Sequence, residues 1–240
     1  MSVMDTLYFN LPRLYVDQDL AAHSAVVLAQ EQVHYLKNVM RRGIGDKIRV
    51  FNGRDGEWLS TLSVLDKRRG QADVVELIKS QPQAEKRRHL VFSPLKKARM
   101  DILIEKIVEL GVTDIHPVLM RRSDVRKVNE ARLRAQILEA AEQCERFSIP
   151  ALYPLMSLEQ KLASWGRDVT LYACLERGGD ACISLCDFPS DCGFVIGPAG
   201  GFDDGEAVRM ASYDFVHPTS LGEVIYRAET AAMVCLIKAD

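Results

Sequence analysis

Residues 194–204 read Phe-Val-Ile-Gly-Pro-Ala-Gly-Gly-Phe-Asp-Asp: three apolar residues run into a glycine-rich loop and then into an acidic helix start. An apolar run of this kind, followed by a loop and a helix, is the signature of a buried strand in an α/β sheet, where ligands collect at the strand's carboxyl end. The glycines do not follow the G-x-G-x-x-G pattern of dinucleotide sites, and no G-K-[S/T] follows them, so the phosphate-loop fingerprint is missing too. Asp203, Asp204 and Glu206 stand where the positive end of the next helix must lie. Carboxylates there satisfy the helix end and repel phosphate. The expected ligand therefore carries no phosphate, a cationic one being one option; a plain glycine-rich turn is the structural alternative.

Working outward, strand and helix patterns alternate on both sides of this loop. Residues 89–93, 114–118 and 169–175 read as apolar strands. Met100, Leu103, Ile104, Ile107 and Val108 share one face of a helix over 99–110 that Gly111 stops. Asn129 caps a predicted helix reaching about residue 147, with Leu133, Ile137, Ala141 and Cys144 inward. Residues 206–211 and 227–239 are the last predicted helices, and 218–225 (Pro-Thr-Ser-Leu-Gly-Glu-Val-Ile) is a second loop. Arg227 and Glu229 follow it as candidate site residues, although a Glu at a helix start is more often a cap. Alternation of this kind predicts an α/β domain with a largely parallel sheet.

The first 78 residues have a different rhythm. Short strands are expected at 13–16, 46–51, 57–65 and 72–78, with a turn at 52–56 and one helix over 31–42 whose inward positions are Val33, Leu36, Val39 and Met40. This predicts a small β-barrel-like domain at 1–78, a polar linker at 79–88 and the α/β domain at 89–240.

Composition agrees with a folded chain of 240 residues: 48% hydrophobic and 27% charged. The longest apolar run, 231–237, is far short of the roughly 20 residues of a membrane helix, and no signal-peptide pattern opens the sequence, so a cytoplasmic protein is expected. The six cysteines show no C-x-x-C spacing, and the five histidines are dispersed, so no metal site is expected. Neither H-E-x-x-H nor G-x-S-x-G occurs. The net charge of −2 conceals an asymmetry: residues 1–150 carry 25 Lys/Arg against 20 Asp/Glu, and residues 151–240 carry 6 against 13. A basic front suits a polyanion; a solvated surface is the plainer reading.

Taken in order, several short pieces carry a resemblance. They are His34-Tyr35-Leu36 through Arg41, Gly45-Asp46, Phe51-Asn52-Gly53, residues 96–100, Glu105-Lys106, Glu109-Leu110-Gly111-Val112 and Pro117. Glu139-Ala140-Ala141-Glu142-Gln143, Arg146 and Pro150 follow, then Ile196-Gly197-Pro198, Gly200-Gly201-Phe202, Leu221-Gly222, and Arg227 with Glu229-Thr230-Ala231. Their order and spacing resemble the bacterial ribosomal RNA small subunit methyltransferase E family, within the SPOUT methyltransferases, over nearly the whole chain.

The resemblance implies a PUA-like RNA-binding β-barrel followed by a SPOUT α/β domain with a C-terminal trefoil knot, an exception to the rule against threaded chains. It implies a homodimer that methylates N3 of a uridine in 16S ribosomal RNA of the small subunit, with no membrane or metal partner. It implies S-adenosylmethionine held by Leu175, Glu176, Ile196, Gly197, Pro198, Gly200, Gly201, Ser220, Leu221, Gly222 and Ile225. Arg227 and Glu229 are then the catalytic candidates, and Arg13, His34, Arg41, Arg42, Lys96, Arg121, Arg122 and Arg126 the candidate RNA contacts. Two positions depart from the family's usual pattern: Ala199 stands where an acidic residue is common, and Val224 where an arginine is common. They keep two alternatives open, a non-catalytic RNA-binding or assembly protein and a SPOUT enzyme for another RNA.

Overall fold

The computed structural model describes residues 8, 10–83, 86–175, 181–183 and 186–240. The chain divides into two compact units, Met1–Ala84 with Ala141–Ile149, and Glu85–Ala140 with Pro150–Asp240.

In the first unit β1 (Arg13–Tyr15), β2 (Ala25–Leu28), β3 (Lys47–Phe51), β4 (Glu57–Leu65) and β5 (Gly70–Lys79) form one sheet in the order β1-β3-β4-β5-β2. Only the β1–β3 ladder is parallel. Leu14, Val26, Ile48, Val50, Leu62 and Val74 fill its core. The β3–β4 loop is built by Asn52, whose Oδ1 accepts from the backbone N–H groups of Arg54 and Asp55. Gly56 there has φ +87°, and a Cβ on it would lie 2.5 Å from the Lys79 carbonyl oxygen, so no other residue fits.

The helix expected over 31–42 is shorter and changes pitch. It is α-helical only at Gln30–His34 (α1), widens to a π turn at Tyr35–Val39, and ends at Arg41 with φ 52°. The wider turn keeps Val33 and Leu36 buried but swings Val39 into solvent.

The centre of the unit is ionic. Glu57 is fully buried and takes Arg13 Nε at 3.0 Å and Arg49 Nη1 at 2.9 Å. Arg13 also donates to the carbonyls of Ala141 and Arg146 and lies 3.6 Å over the Phe51 ring. Arg49 reaches Glu145 as well, at 2.8 Å. These bonds hold residues 141–149 to the strands around them, and each buried charge keeps a partner.

The second unit contains β6 (Arg87–Phe92), α2 (Lys97–Glu109), β7 (Asp114–Leu119), α3 (Glu130–Gln143, whose residues to Ala140 belong here), β8 (Ala151–Leu152), β9 (Met156–Ser157) and α4 (Leu158–Ala163). They are followed by β10 (Thr170–Leu175), β11 (Ala181–Cys182), β12 (Asp191–Ile196), α5 (Asp204–Ala211), β13 (Val216–Ser220) and α6 (Ala228–Ala239). The sheet is parallel throughout, in the order β11-β13-β10-β12-β6-β7-β8, with β9 also paired to β7. Leu90, Val91, Phe194 and Val195 are fully buried, as strands covered on both faces must be. The helix expected to 147 stops at Gln143, and Glu145 turns to φ 58°. A loop was expected from 218, but β13 runs to Ser220 beside β10. α4 was not expected; Ser157 and Gln160 form its capping box. Among the described residues no helix is long and apolar enough to cross a membrane.

A histidine pair sits near the amino ends of β6 and β7. His89 Nε2 lies 3.0 Å from Asp191 Oδ1, and His89 Nδ1 lies 3.1 Å from His116 Nε2. Their centroids are 5.4 Å apart. That equals the nitrogen separation plus the two ring radii, so the rings meet nitrogen to nitrogen along one line. Burial, with Lys161 nearby, pushes the His116 pKa down to about 3 from its ordinary 6.5. Burial also lowers that of His89, against the pull of Asp114 and Asp191.

Two predictions follow from this packing. Replacing Glu57 with Ala leaves two buried guanidinium groups short of a partner and is expected to cost about 3–5 kcal/mol in urea unfolding; a loss under about 1 kcal/mol would show the network to be dispensable. The unfolded chain takes up a proton at His116 near pH 6.5 while the folded chain does not. Stability is therefore full above that pH and falls as pH drops toward about 3, by up to about 1.4 kcal/mol per pH unit. Melting curves between about pH 7 and pH 5 should be steeper for the native chain than for His116→Gln, and equal slopes would refute the assignment.

Candidate active site

Strands β13, β10 and β12 are neighbours, and register sets Leu175 beside Ser220 and Cys174 beside Ile196. Their carboxyl ends therefore open on the same edge, where a cavity of about 280 Å³ lies. Leu175, Ile196, Leu221 and Ile225 give it apolar walls, and the backbone of Gly197, Pro198, Gly201 and Gly222 completes them. Gly200, in the glycine loop, and Ser220, the last residue of β13, do not line the cavity; Glu176 lies outside the described residues. Ala199 lines the wall, as does Val224, which is 61% exposed.

The glycine loop is shaped by close contacts. The Gly201 N–H donates to the Pro198 carbonyl, and Gly201 has φ +69°. A Cβ on Gly197 would meet the Phe202 ring at 3.1 Å, so the ring packs directly on the backbone. Asp203 caps α5 by accepting from the Gly205 N–H, and Glu206 reaches back to the Asp203 N–H. The acidic residues read from the sequence thus close the helix start and lie outside the cavity lining.

Arg227 lines the cavity as the N-cap residue of α6. Glu229 is one step inside, 9% exposed, with Oε1 3.8 Å from Arg99 Nε and Oε2 buried without a hydrogen bond. Arg99, on α2, also lines the cavity. It was not singled out from the sequence because only the packing of α2 against α6 brings it there. Cys174 stands in the wall, its Sγ 3.4 Å from Cys235 Sγ.

The candidate RNA contacts divide by environment. Arg13 is 7% exposed, with its guanidinium spent on Glu57 and two carbonyls, so it is packing of the first unit rather than surface. His34 and Arg41 are exposed, and Arg42 is half-buried with an unbonded Nε. In the second unit Lys96, Arg121, Arg122 and Arg126 are exposed; Lys96 pairs with Asp124 at 3.4 Å, and Arg122 Nη1 donates to the Gly200 carbonyl at 2.9 Å.

For a metal, His89, Asp114 and His116 are the cluster with suitable donor types among the described residues. Its geometry is poor. The two imidazole lone pairs point along one line across 3.1 Å, so they share no point at the 2.0–2.1 Å of a zinc–nitrogen bond. A shared N–H···N proton fits instead, with His89 Nε2 donating to Asp191 and His116 Nε2 donating to His89.

Comparison with known proteins matches two families along the chain. Residues 82–239 match the RNA methyltransferase domain family, and residues 28–75 match the RNA methyltransferase PUA domain. Ribosomal RNA small subunit methyltransferase E of Rickettsia conorii is 33% identical over 228 residues, covering 93% of each chain. The crystal structure of the Neisseria gonorrhoeae protein of the same name, bound to S-adenosylmethionine, is 27% identical, with a TM-score of 0.84 over 95% of this chain and 96% of that one. A Legionella pneumophila structure in complex with the same cofactor is 26% identical, with a TM-score of 0.85 over 95% and 96%. The α/β sheet, the PUA-type unit in front of it and this extent of likeness lead to one conclusion: the chain belongs to the ribosomal RNA small subunit methyltransferase E family of RNA methyltransferases.

Proposed function

We propose that this chain methylates N3 of a uridine in 16S ribosomal RNA, using S-adenosylmethionine held in the cavity at the ends of β10, β12 and β13. The observation that carries the proposal is the cavity itself: apolar walls and backbone from two glycine loops at the carboxyl ends of parallel strands suit a nucleoside base with an aliphatic arm. Within this reading residues 1–78 serve as the PUA-like barrel, 79–88 as the linker and 89–240 as the methyltransferase domain. The C-terminal loops thread as a trefoil knot, and the working form is a cytoplasmic homodimer.

When bound, S-adenosylmethionine supplies an electrophilic methyl group. The chain's own residues do the rest. Uridine N3 is protonated at neutral pH and becomes a nucleophile only as that proton leaves. Arg227, at the cavity wall, stabilises the negative charge that then spreads onto the uracil carbonyl oxygens. Glu229, whose Oε2 lacks a hydrogen bond, orients or receives the N3 proton, and Arg99 holds its other oxygen. Phe202 and the apolar walls keep water from the reacting atoms. His34, Arg41, Arg42, Lys96, Arg121 and Arg126 hold phosphates, while the target base is splayed out of the RNA.

The decisive measurement pairs calorimetric titration of S-adenosylmethionine with nucleoside mass spectrometry of 16S RNA incubated with the protein. About one cofactor per chain and new N3-methyluridine are expected. Binding without product would favour a non-catalytic protein, and product on a different nucleoside would move the target. Arg227→Ala is expected to lower kcat at saturating RNA about 100-fold with cofactor affinity little changed; an unchanged kcat would remove Arg227 from the mechanism.

A further inference from the structure

Arginine-rich turns beside an RNA enzyme's site invite one explanation, phosphate binding, yet the turn after β7 is wired to the glycine loop instead. Arg122 Nη1 donates to the Gly200 carbonyl at 2.9 Å, and a methyl group on Gly200 would touch Arg122 Cβ and Cδ at 3.7 Å. The neighbouring Arg121 N–H donates to Glu206 Oε1 at 2.8 Å, and its Nε lies 3.7 Å from Asp203. The turn is itself rigid: the buried Ser123 Oγ accepts from the Met120 N–H and pairs with Ser93 Oγ, and the Ser93 N–H donates to the Ile196 carbonyl, the last residue before the loop.

The glycine loop needs such a brace. Gly197, Gly200 and Gly201 bring no side chains to pack it, and glycine loses the most freedom on being ordered. The Gly200 carbonyl lies in the exposed part of the loop, and its charged donor comes from a segment about 78 residues away in sequence.

We propose that Arg122 is a positioning residue that braces the glycine-loop wall of the cofactor cavity through the Gly200 carbonyl. This rests on the reading of that cavity as the S-adenosylmethionine site. An ordered loop binds without first being ordered by its ligand, so loss of the brace falls on cofactor affinity rather than on the chemical step.

The test uses the full chain. S-adenosylmethionine is titrated into the native protein, Arg122→Ala and Arg122→Lys, with melting curves as a check on folding and KM and kcat measured on 16S RNA. The alanine variant should bind the cofactor about threefold to tenfold more weakly, the net worth of one solvent-exposed hydrogen bond. KM for the cofactor should rise in step, with kcat at saturation unchanged. Lysine keeps a donor and the aliphatic stem, and should restore part of the affinity. Native affinity in Arg122→Ala would overturn the proposal, as would a fall in kcat with cofactor binding intact, which would mark Arg122 as an RNA contact. Failure of the native chain to bind S-adenosylmethionine would instead overturn the reading of the cavity, and this proposal with it.

Discussion

Parallel pairing is the constraint on which the second unit depends. Parallel strands must all be entered at one edge and left at the other, so every segment following a strand emerges on the same side. Leu175, Ile196 and Ser220 end their strands in register, and the loops that follow Ile196 and Ser220 can only converge. The cavity is therefore a result of topology first and of particular side chains second. Its walls are largely backbone and aliphatic, which is why Ala199 and Val224 can occupy the lining without closing it.

The same constraint separates two chemical environments within one sheet. Near the amino ends of the strands, Asp114, His89 and His116 form a buried polar cluster, edged by the half-buried Asp191, in which burial lowers the pKa of both imidazoles. Near the carboxyl ends, the polar groups include loop backbone, Arg99, Arg227, Tyr226 and, beside Arg99, the buried carboxylate of Glu229. Titratable groups at the first edge are engaged with one another, while Arg99 and Arg227 at the second border the cavity.

What could be read from the sequence follows the same physics. Phe194-Val195-Ile196 announced a strand because both faces are buried, and Gly197–Gly201 announced a loop because no other composition makes one so compact. β13 stayed hidden because its sequence, Val-His-Pro-Thr-Ser, lacks both alternation and an apolar run; it is held by its place beside β10. α4 is six residues long, too short for a period to register. Charged residues were the hardest to place. Arg13 and Arg122 look like surface cations in the sequence, and only folding supplies Glu57, 44 positions from Arg13, or the Gly200 carbonyl. Arg99 is similar: its partner Glu229 is near in space and remote in sequence.

The ionic cluster around Glu57 draws its members from both sides of a long excursion in the chain. Glu57, Arg13 and Arg49 precede the second unit, whereas Glu145, which pairs with Arg49, and the carbonyls of Ala141 and Arg146, which accept from Arg13, lie in the last turn of α3 and just beyond it. The front unit is consequently not a continuous stretch that recombination could lift out and join to another enzyme. A gene segment ending at residue 84 would encode the strands but not the piece that neutralises and caps them. The two units of this chain are bound to be inherited together.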